Sequence, residues 1–273
     1  MKRRKIIKYD SPSYDDIADK QRNELSNVYN EILQKKLREK ARMEVMKEIK
    51  AKECQEKECC KECCCPRIKA FKKFINTFEK AQIGKEAPEF KAPAYCPCGS
   101  IKEIDINEYR GKYVVLLFYP LDWTFVCPTE MIGYSELAGQ LKEIDCEVIG
   151  VSVDSVYCHQ AWCEADKSKG GVGKLTFPLV SDIKRCISIK YGMLNVEAGI
   201  ARRGYVIIDD KGKVRYIQMN DDGIGRSTEE TIRIVKAIQF SDEHGAVCPL
   251  NWKPGKDTIE PTPDGIKKYL TAH

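Results

Sequence analysis

Apolar positions follow two different regimes along this chain of 273 residues. Over residues 14–53 they are sparse and helically spaced. Leu25, Val28 and Ile32 share one face, as do Leu33 and Leu37, then Met46 and Ile49. That spacing predicts a polar amphipathic helix, and the break in the stripe over 35–42 argues against a sustained coiled coil. From residue 83 onward the pattern tightens. The runs 113–119 (YVVLLFY) and 147–153 (EVIGVSV) read as buried central strands. The runs 204–209 and 214–219 flank Asp210-Lys211-Gly212, a hairpin signal. Helical patterns start at Pro128, follow Asp154 and run from Ser227 to Phe240; the last opens with Ser227-x-x-Glu230, a capping box. Strands alternating with helices predict an α/β architecture, a central mixed sheet flanked by helices.

Between the two regimes lies a low-complexity tract, residues 54–65, built on Lys-Glu-Cys units and ended by Pro66. After it, Phe71, Phe74, Ile75 and Phe78 fall on one face of a lysine-rich helix, expected to dock on a protein surface, of the body or of a partner, rather than on a membrane. The expected division is therefore an N-terminal extension over 1–82, a main domain over 83–240 and a C-terminal segment over 241–273.

Charge sharpens that division. The net charge is +5, with the excess of Lys and Arg in the first 80 residues and a slightly acidic remainder. No run approaches the ~18 apolar residues of a membrane span. Early acidic residues and Pro12 speak against a leader sequence, so a cytoplasmic location is expected, with the basic patch at residues 2–5 leaving a nuclear one open. Nucleic-acid binding is not expected, because no basic stretch is interleaved with aromatics. The chain holds 14 cysteines, six of them stacked in the 54–65 tract. Such stacking does not suit a loop-closing disulfide framework.

The stretch Tyr119-Pro120-Leu121-Asp122-Trp123-Thr124-Phe125-Val126-Cys127-Pro128-Thr129-Glu130 stands out. A buried strand ends, a short loop follows, and Cys127 sits where a helix begins, with Pro128 suited to the first turn. Unpaired N–H groups and the positive end of the helix dipole there favour a thiolate, the reactive form of cysteine. Position alone favours the other reading, a buried cysteine that is inert packing.

Pro120-x-x-x-Thr124-x-x-Cys127, extended by Val-Cys-Pro-Thr-Glu, resembles the peroxidatic signature of the peroxiredoxins. A second Val-Cys-Pro at residues 247–249 is similar to the resolving segment of their typical two-cysteine subgroup, and the resemblance spans roughly 83–270. It implies a thioredoxin-like fold and a thiol peroxidase without a cofactor. By resemblance, Cys127 attacks the peroxide and becomes a sulfenic acid. Thr124 hydrogen-bonds the peroxide, Pro120 shields the pocket, Arg203 polarises the peroxide, and Glu130 with Arg226 holds Arg203. Cys248 of the other subunit then closes a Cys127–Cys248 disulfide in a homodimer that assembles to a decamer. A thioredoxin-type reductant reopens it. Two segments that govern over-oxidation correspond to residues 170–173 (Gly-Gly-Val-Gly) and to Tyr269-Leu270, where the usual pair is Tyr-Phe.

Other thiols are less defined. Cys96-Pro97-Cys98-Gly99 departs from the family pattern, and metal ligation, a strained disulfide or two spare thiols all remain open. Cys146, Cys158, Cys163 and Cys186 read as small core or semi-exposed residues, and His159 as a packing and hydrogen-bonding one. Cys60 and Cys63 have metal-ligand spacing, but no second spaced pair completes a site. The rival functions are a ring-forming redox chaperone or binding module and a disulfide oxidoreductase, the latter disfavoured because Cys127 lacks a Cys-x-x-Cys partner.

Overall fold

A computed structural model describes residues 79–273 together with Lys73 and Ile75. The helix expected over 14–53, the 54–65 tract and the Cys60/Cys63 pair lie outside the described residues. Of the apolar face expected at Phe71, Phe74, Ile75 and Phe78, Ile75 is described. It is buried and lines a small cavity with Ser188, Ile189 and Leu194.

Nine strands are described: β1 (Lys91–Tyr95), β2 (Ile101–Asp105), β3 (Tyr113–Phe118), β4 (Cys146–Ser152), β5 (Leu179–Ser181), β6 (Leu194–Asn195), β7 (Ile200–Ala201), β8 (Gly204–Ile208) and β9 (Val214–Met219). Helices α1 (Cys127–Lys142), α2 (Val156–Glu164), α3 (Cys186–Lys190), α4 (Thr228–His244) and α5 (Pro263–Ala272) complete the architecture. Seven strands form one sheet in the order β2-β1-β5-β4-β3-β8-β9. β3 runs parallel to β4 and antiparallel to β8. The sheet is mixed, as the sequence predicts.

β3 shows why its run is apolar throughout. Tyr113, Val115 and Leu117 point into one core with Met131, Tyr134 and Trp162, whereas Val114, Leu116 and Phe118 point into the opposite core with Phe90, Ile187 and Tyr191. A strand covered on both faces needs apolar residues at every position. Among the described residues, no helix is long and apolar enough to cross a membrane.

Three local expectations need correction. Helix α1 starts at Cys127 rather than Pro128, because Val126 already has helical dihedrals and its carbonyl accepts from the Thr129 and Glu130 amides. β3 ends one residue early, at Phe118, and β4 is shifted by one residue, running Cys146–Ser152 rather than 147–153. The capping box is half formed: Ser227 Oγ accepts the Glu230 amide proton at 3.1 Å, but the Glu230 carboxylate turns to Arg233.

Candidate active site

Cys127 occupies the first turn of α1, directly after the loop that leaves β3. Pro120 is buried at the start of that loop. Trp123 takes a left-handed φ of 57°, and Thr124 Oγ1 donates to the Leu121 carbonyl at 2.9 Å, closing the turn. The loop therefore delivers Cys127 to the helix start with its side chain turned inward, only 1% exposed.

From the sheet, Arg203 faces the sulfur. Its Nη2 and Nη1 lie 3.6 and 3.7 Å from Cys127 Sγ. Arg203 immediately precedes β8, and Gly204 pairs with Phe118 at the end of β3. A side chain at Gly204 would collide with Met193 Sδ at 2.6 Å and the Gln218 carbonyl at 2.7 Å. The glycine thus allows the close backbone approach that brings Arg203 under α1.

Glu130 lies three residues along α1 from Cys127, hence on the same helical face. Its Oε2 accepts from Arg203 Nη1 and from Arg226 Nη2 (2.8 Å), and its Oε1 accepts the Arg226 backbone amide and Nε, both at 2.8 Å. Arg226 Nη1 donates to the Phe118 and Gly204 carbonyls at 2.7 and 2.5 Å, tying the ion pair to the strand ends. Arg203 Nε donates to the Asp222 carbonyl at 2.9 Å. Burial by itself would raise the Glu130 pKa, but hydrogen bonds and charge from Arg226, with the Arg203 charge, outweigh it and hold the carboxyl below its ordinary value. Burial likewise opposes the charge on Arg203, and Glu130 and Cys127 reverse that, raising its pKa. The result is a fixed cation whose donors face a buried sulfur.

Cys248 is half-buried beyond α4, with Sγ 3.6 Å from the Ala237 carbonyl. Burial raises its pKa, partly offset by Arg233. Its neighbour Val247 is bridged to Ile259 by reciprocal hydrogen bonds, the Val247 amide donating to the Ile259 carbonyl at 2.9 Å and the Ile259 amide to the Val247 carbonyl at 3.0 Å. Cys127 and Cys248 are both free thiols. The Gly-Gly-Val-Gly loop follows α2, its Gly170 carbonyl accepting from Trp162 Nε1 at 3.0 Å.

Missing from the sequence reading is a buried network under the loop. Tyr119 donates to Asp122 Oδ1 at 2.8 Å, and His159 Nδ1 meets Asp122 Oδ2 at 2.8 Å. The Asp122 amide donates to Asp154 Oδ2 at 3.0 Å. His159 is a packing and hydrogen-bonding residue, as expected, and the polar Asp122 set in an apolar run was the available signal. Asp122, Asp154 and Cys158 bring ligand atoms within 4.8 Å of one another, yet Tyr119, His159 and Ser152 already use the carboxylate oxygens. These contacts explain the group without a metal.

Known proteins share this arrangement of sequence and fold. A model of the AhpC/TSA family matches residues 83–217, and one of the C-terminal domain of 1-Cys peroxiredoxin matches residues 237–272, which contain Cys248. Peroxiredoxin-1 of Gallus gallus is 55% identical over 192 residues, covering 70% of this chain and 96% of the relative. Peroxiredoxin-2 of Mus musculus is 52% identical over 193 residues, covering 71% and 97%. The reduced 2-Cys peroxiredoxin of Plasmodium vivax superimposes with a TM-score of 0.68 at 42% identity, covering 69% of this chain and 98% of that one.

Proposed function

This chain belongs to the peroxiredoxin family and is a thiol peroxidase, and from that premise we propose that Cys127 is its peroxidatic sulfur and the partner subunit's Cys248 its resolving sulfur. The observation that carries the assignment is the Arg203 guanidinium 3.6 Å from Cys127 Sγ, held there by Glu130, Arg226 and the Asp222 carbonyl.

In this reading the Cys127 thiolate attacks one peroxide oxygen, the O–O bond breaks, and the departing oxygen takes a proton to leave as water or an alcohol. Arg203 donors stabilise the negative charge as it moves from sulfur to oxygen. The Thr124 hydroxyl proton is committed to the Leu121 carbonyl. Thr124 therefore offers a lone pair to the peroxide O–H, orienting the far oxygen for departure. Pro120 adds no donor of its own and keeps water from the reacting pair. No cofactor enters the reaction.

The sulfenic acid then condenses with the resolving thiol, losing water. Cys127 is 1% exposed and Cys248 is half-buried, so both the first turn of α1 and the 247–259 bridge must open before the sulfurs meet. The exposed apolar side chains of Phe125 (93%) and Leu250 (90%), one beside each cysteine, fit burial against a second copy and support the homodimer, with a decamer as its further assembly. A dithiol reductant of the thioredoxin type completes the cycle. After a peroxide pulse, non-reducing electrophoresis is expected to show a covalent dimer in the wild type and none in Cys248→Ser. A wild-type chain that stays monomeric overturns the pairing.

Leu270 lies on α5 and is 68% exposed, whereas Tyr269 is half-buried and stacks on His273 at 4.3 Å. A smaller side chain at 270 leaves α5 less firmly held, so local opening, and with it resolution, is faster. Leu270→Phe is therefore expected to lose activity at lower peroxide concentrations than wild type, through the sulfinic acid. Mass spectrometry of the Cys127 peptide checks this, and an unchanged sulfinic fraction contradicts it.

A further inference from the structure

Cys96 and Cys98 take no part in the chemistry above, and they stand at one edge of the sheet, whereas α1 packs on the central strand β4. They sit in the turn between β1 and β2, the outermost hairpin in the strand order. The Gly99 amide donates to the Cys96 carbonyl at 2.9 Å, and the Cys96 amide donates to the Ser100 carbonyl at 2.9 Å. Gly99 has a left-handed φ of 78°, and Pro97 fixes the residue between the two sulfurs. The turn is thus tightly specified, and it holds two thiols of unlike environment. Cys96 is 8% exposed, while Cys98 is open to solvent. Both line a cavity of about 260 Å³, together with Tyr95, Cys163, Glu164 and Lys174.

We propose that Cys96-Pro97-Cys98 is a second peroxide-responsive thiol pair, in which Cys98 is oxidised first and Cys96 closes an intrachain disulfide. The backbone keeps the two residues within reach, and each sulfur must rotate from its present contact, Cys96 Sγ from the Ala94 carbonyl (4.0 Å) and Cys98 Sγ from Ser100 Oγ (2.9 Å). Residues two apart are separated by at most ~7 Å even in an extended chain. A turn shortens this towards the ~4.4–6.8 Å that disulfides span. The chemistry is balanced by peroxide. The Cys98 thiolate attacks one oxygen and becomes a sulfenic acid as the other leaves as hydroxide. The Cys96 sulfur then displaces the sulfenic oxygen, so that two thiols are oxidised and one peroxide becomes two waters.

Each sulfur is suited to its step. Ser100 Oγ lies 2.9 Å from Cys98 Sγ, placed to donate its hydroxyl proton to a thiolate. That contact also lowers the Cys98 pKa, whereas burial raises that of Cys96. The exposed sulfur is therefore the readier nucleophile, and the buried one is shielded from peroxide until the sulfenic acid forms beside it. Among the described residues no guanidinium bonds to Cys98 Sγ as Arg203 does to Cys127, so this oxidation is slower and needs higher peroxide. The small ring strains the bond, which makes it easily reduced and hence reversible.

Full-length Cys127→Ser protein separates this pair from the proposed peroxidatic cysteine, whose own failure would leave the test intact. After hydrogen peroxide treatment and alkylation, trypsin releases residues 92–102, a peptide containing both sulfurs and no other cysteine. The expected result is loss of two hydrogens from this peptide, reversed by dithiothreitol. In Cys127→Ser/Cys96→Ser, a Cys98 sulfenic acid should instead be trapped by dimedone. Two alkylated thiols at every peroxide dose, or Cys98 linked to Cys163, overturns the proposal.

Discussion

Replacing Cys127 with serine is expected to reduce peroxide turnover by about 10⁴-fold or more. The fold should persist, because the change exchanges one small buried side chain for another at the first turn of α1. The chemistry should not, because a serine hydroxyl stays protonated where a thiol can ionise, and oxygen is a far weaker nucleophile towards peroxide than sulfur. Arg203 would remain pinned by Glu130 and Asp222, now facing a neutral group. Following peroxide loss with a dithiol reductant, alongside circular dichroism, separates lost chemistry from lost structure. Turnover within tenfold of wild type, in a folded variant, would assign the reaction to another thiol.

Much of this site was legible because its geometry is local. Cys127 and Glu130 share a helical face by spacing alone, and β3 declares itself by being apolar on both faces. The edge of the sheet was not legible. β1 (KAPAY) carries proline and alanines, β2 (IKEID) is largely exposed, and β5 has three residues. None has a period of its own, and each is a strand because of the neighbour it pairs with. The failed half of the capping box has a similar cause: Arg233, three residues after Glu230, offers a full charge where the Ser227 amide offers a dipole. Arg203 could be matched to a motif, but its anchor on the Asp222 carbonyl depends on a loop conformation that no sequence pattern displays.

The carboxylate of Glu130 bears the second large expectation. It is 5% exposed and is the one acidic partner shown for both Arg203 and Arg226 among the described residues. Glu130→Ala leaves two guanidiniums without their counter-charge, one of them fully enclosed, and should destabilise the fold by about 3–5 kcal/mol. That is a large share of the ~5–15 kcal/mol of a typical domain. Glu130→Gln keeps the shape and some hydrogen bonds, so it should fold and report the charge alone. Because the folded Glu130 pKa lies below its ordinary 4.5, its stabilisation is complete above that pH. It is lost as pH falls through the lower folded value. The stability gap between wild type and Glu130→Gln in denaturant titrations should therefore be constant at neutral pH and shrink on acidification below about 4.5. Peroxide turnover should fall in the same variant at pH 7, since Arg203 loses the partner that aims it at Cys127. A gap that widens with acid would mean that the carboxylate does not stabilise the fold through its charge, and turnover unchanged in Glu130→Gln that it does not position the arginine.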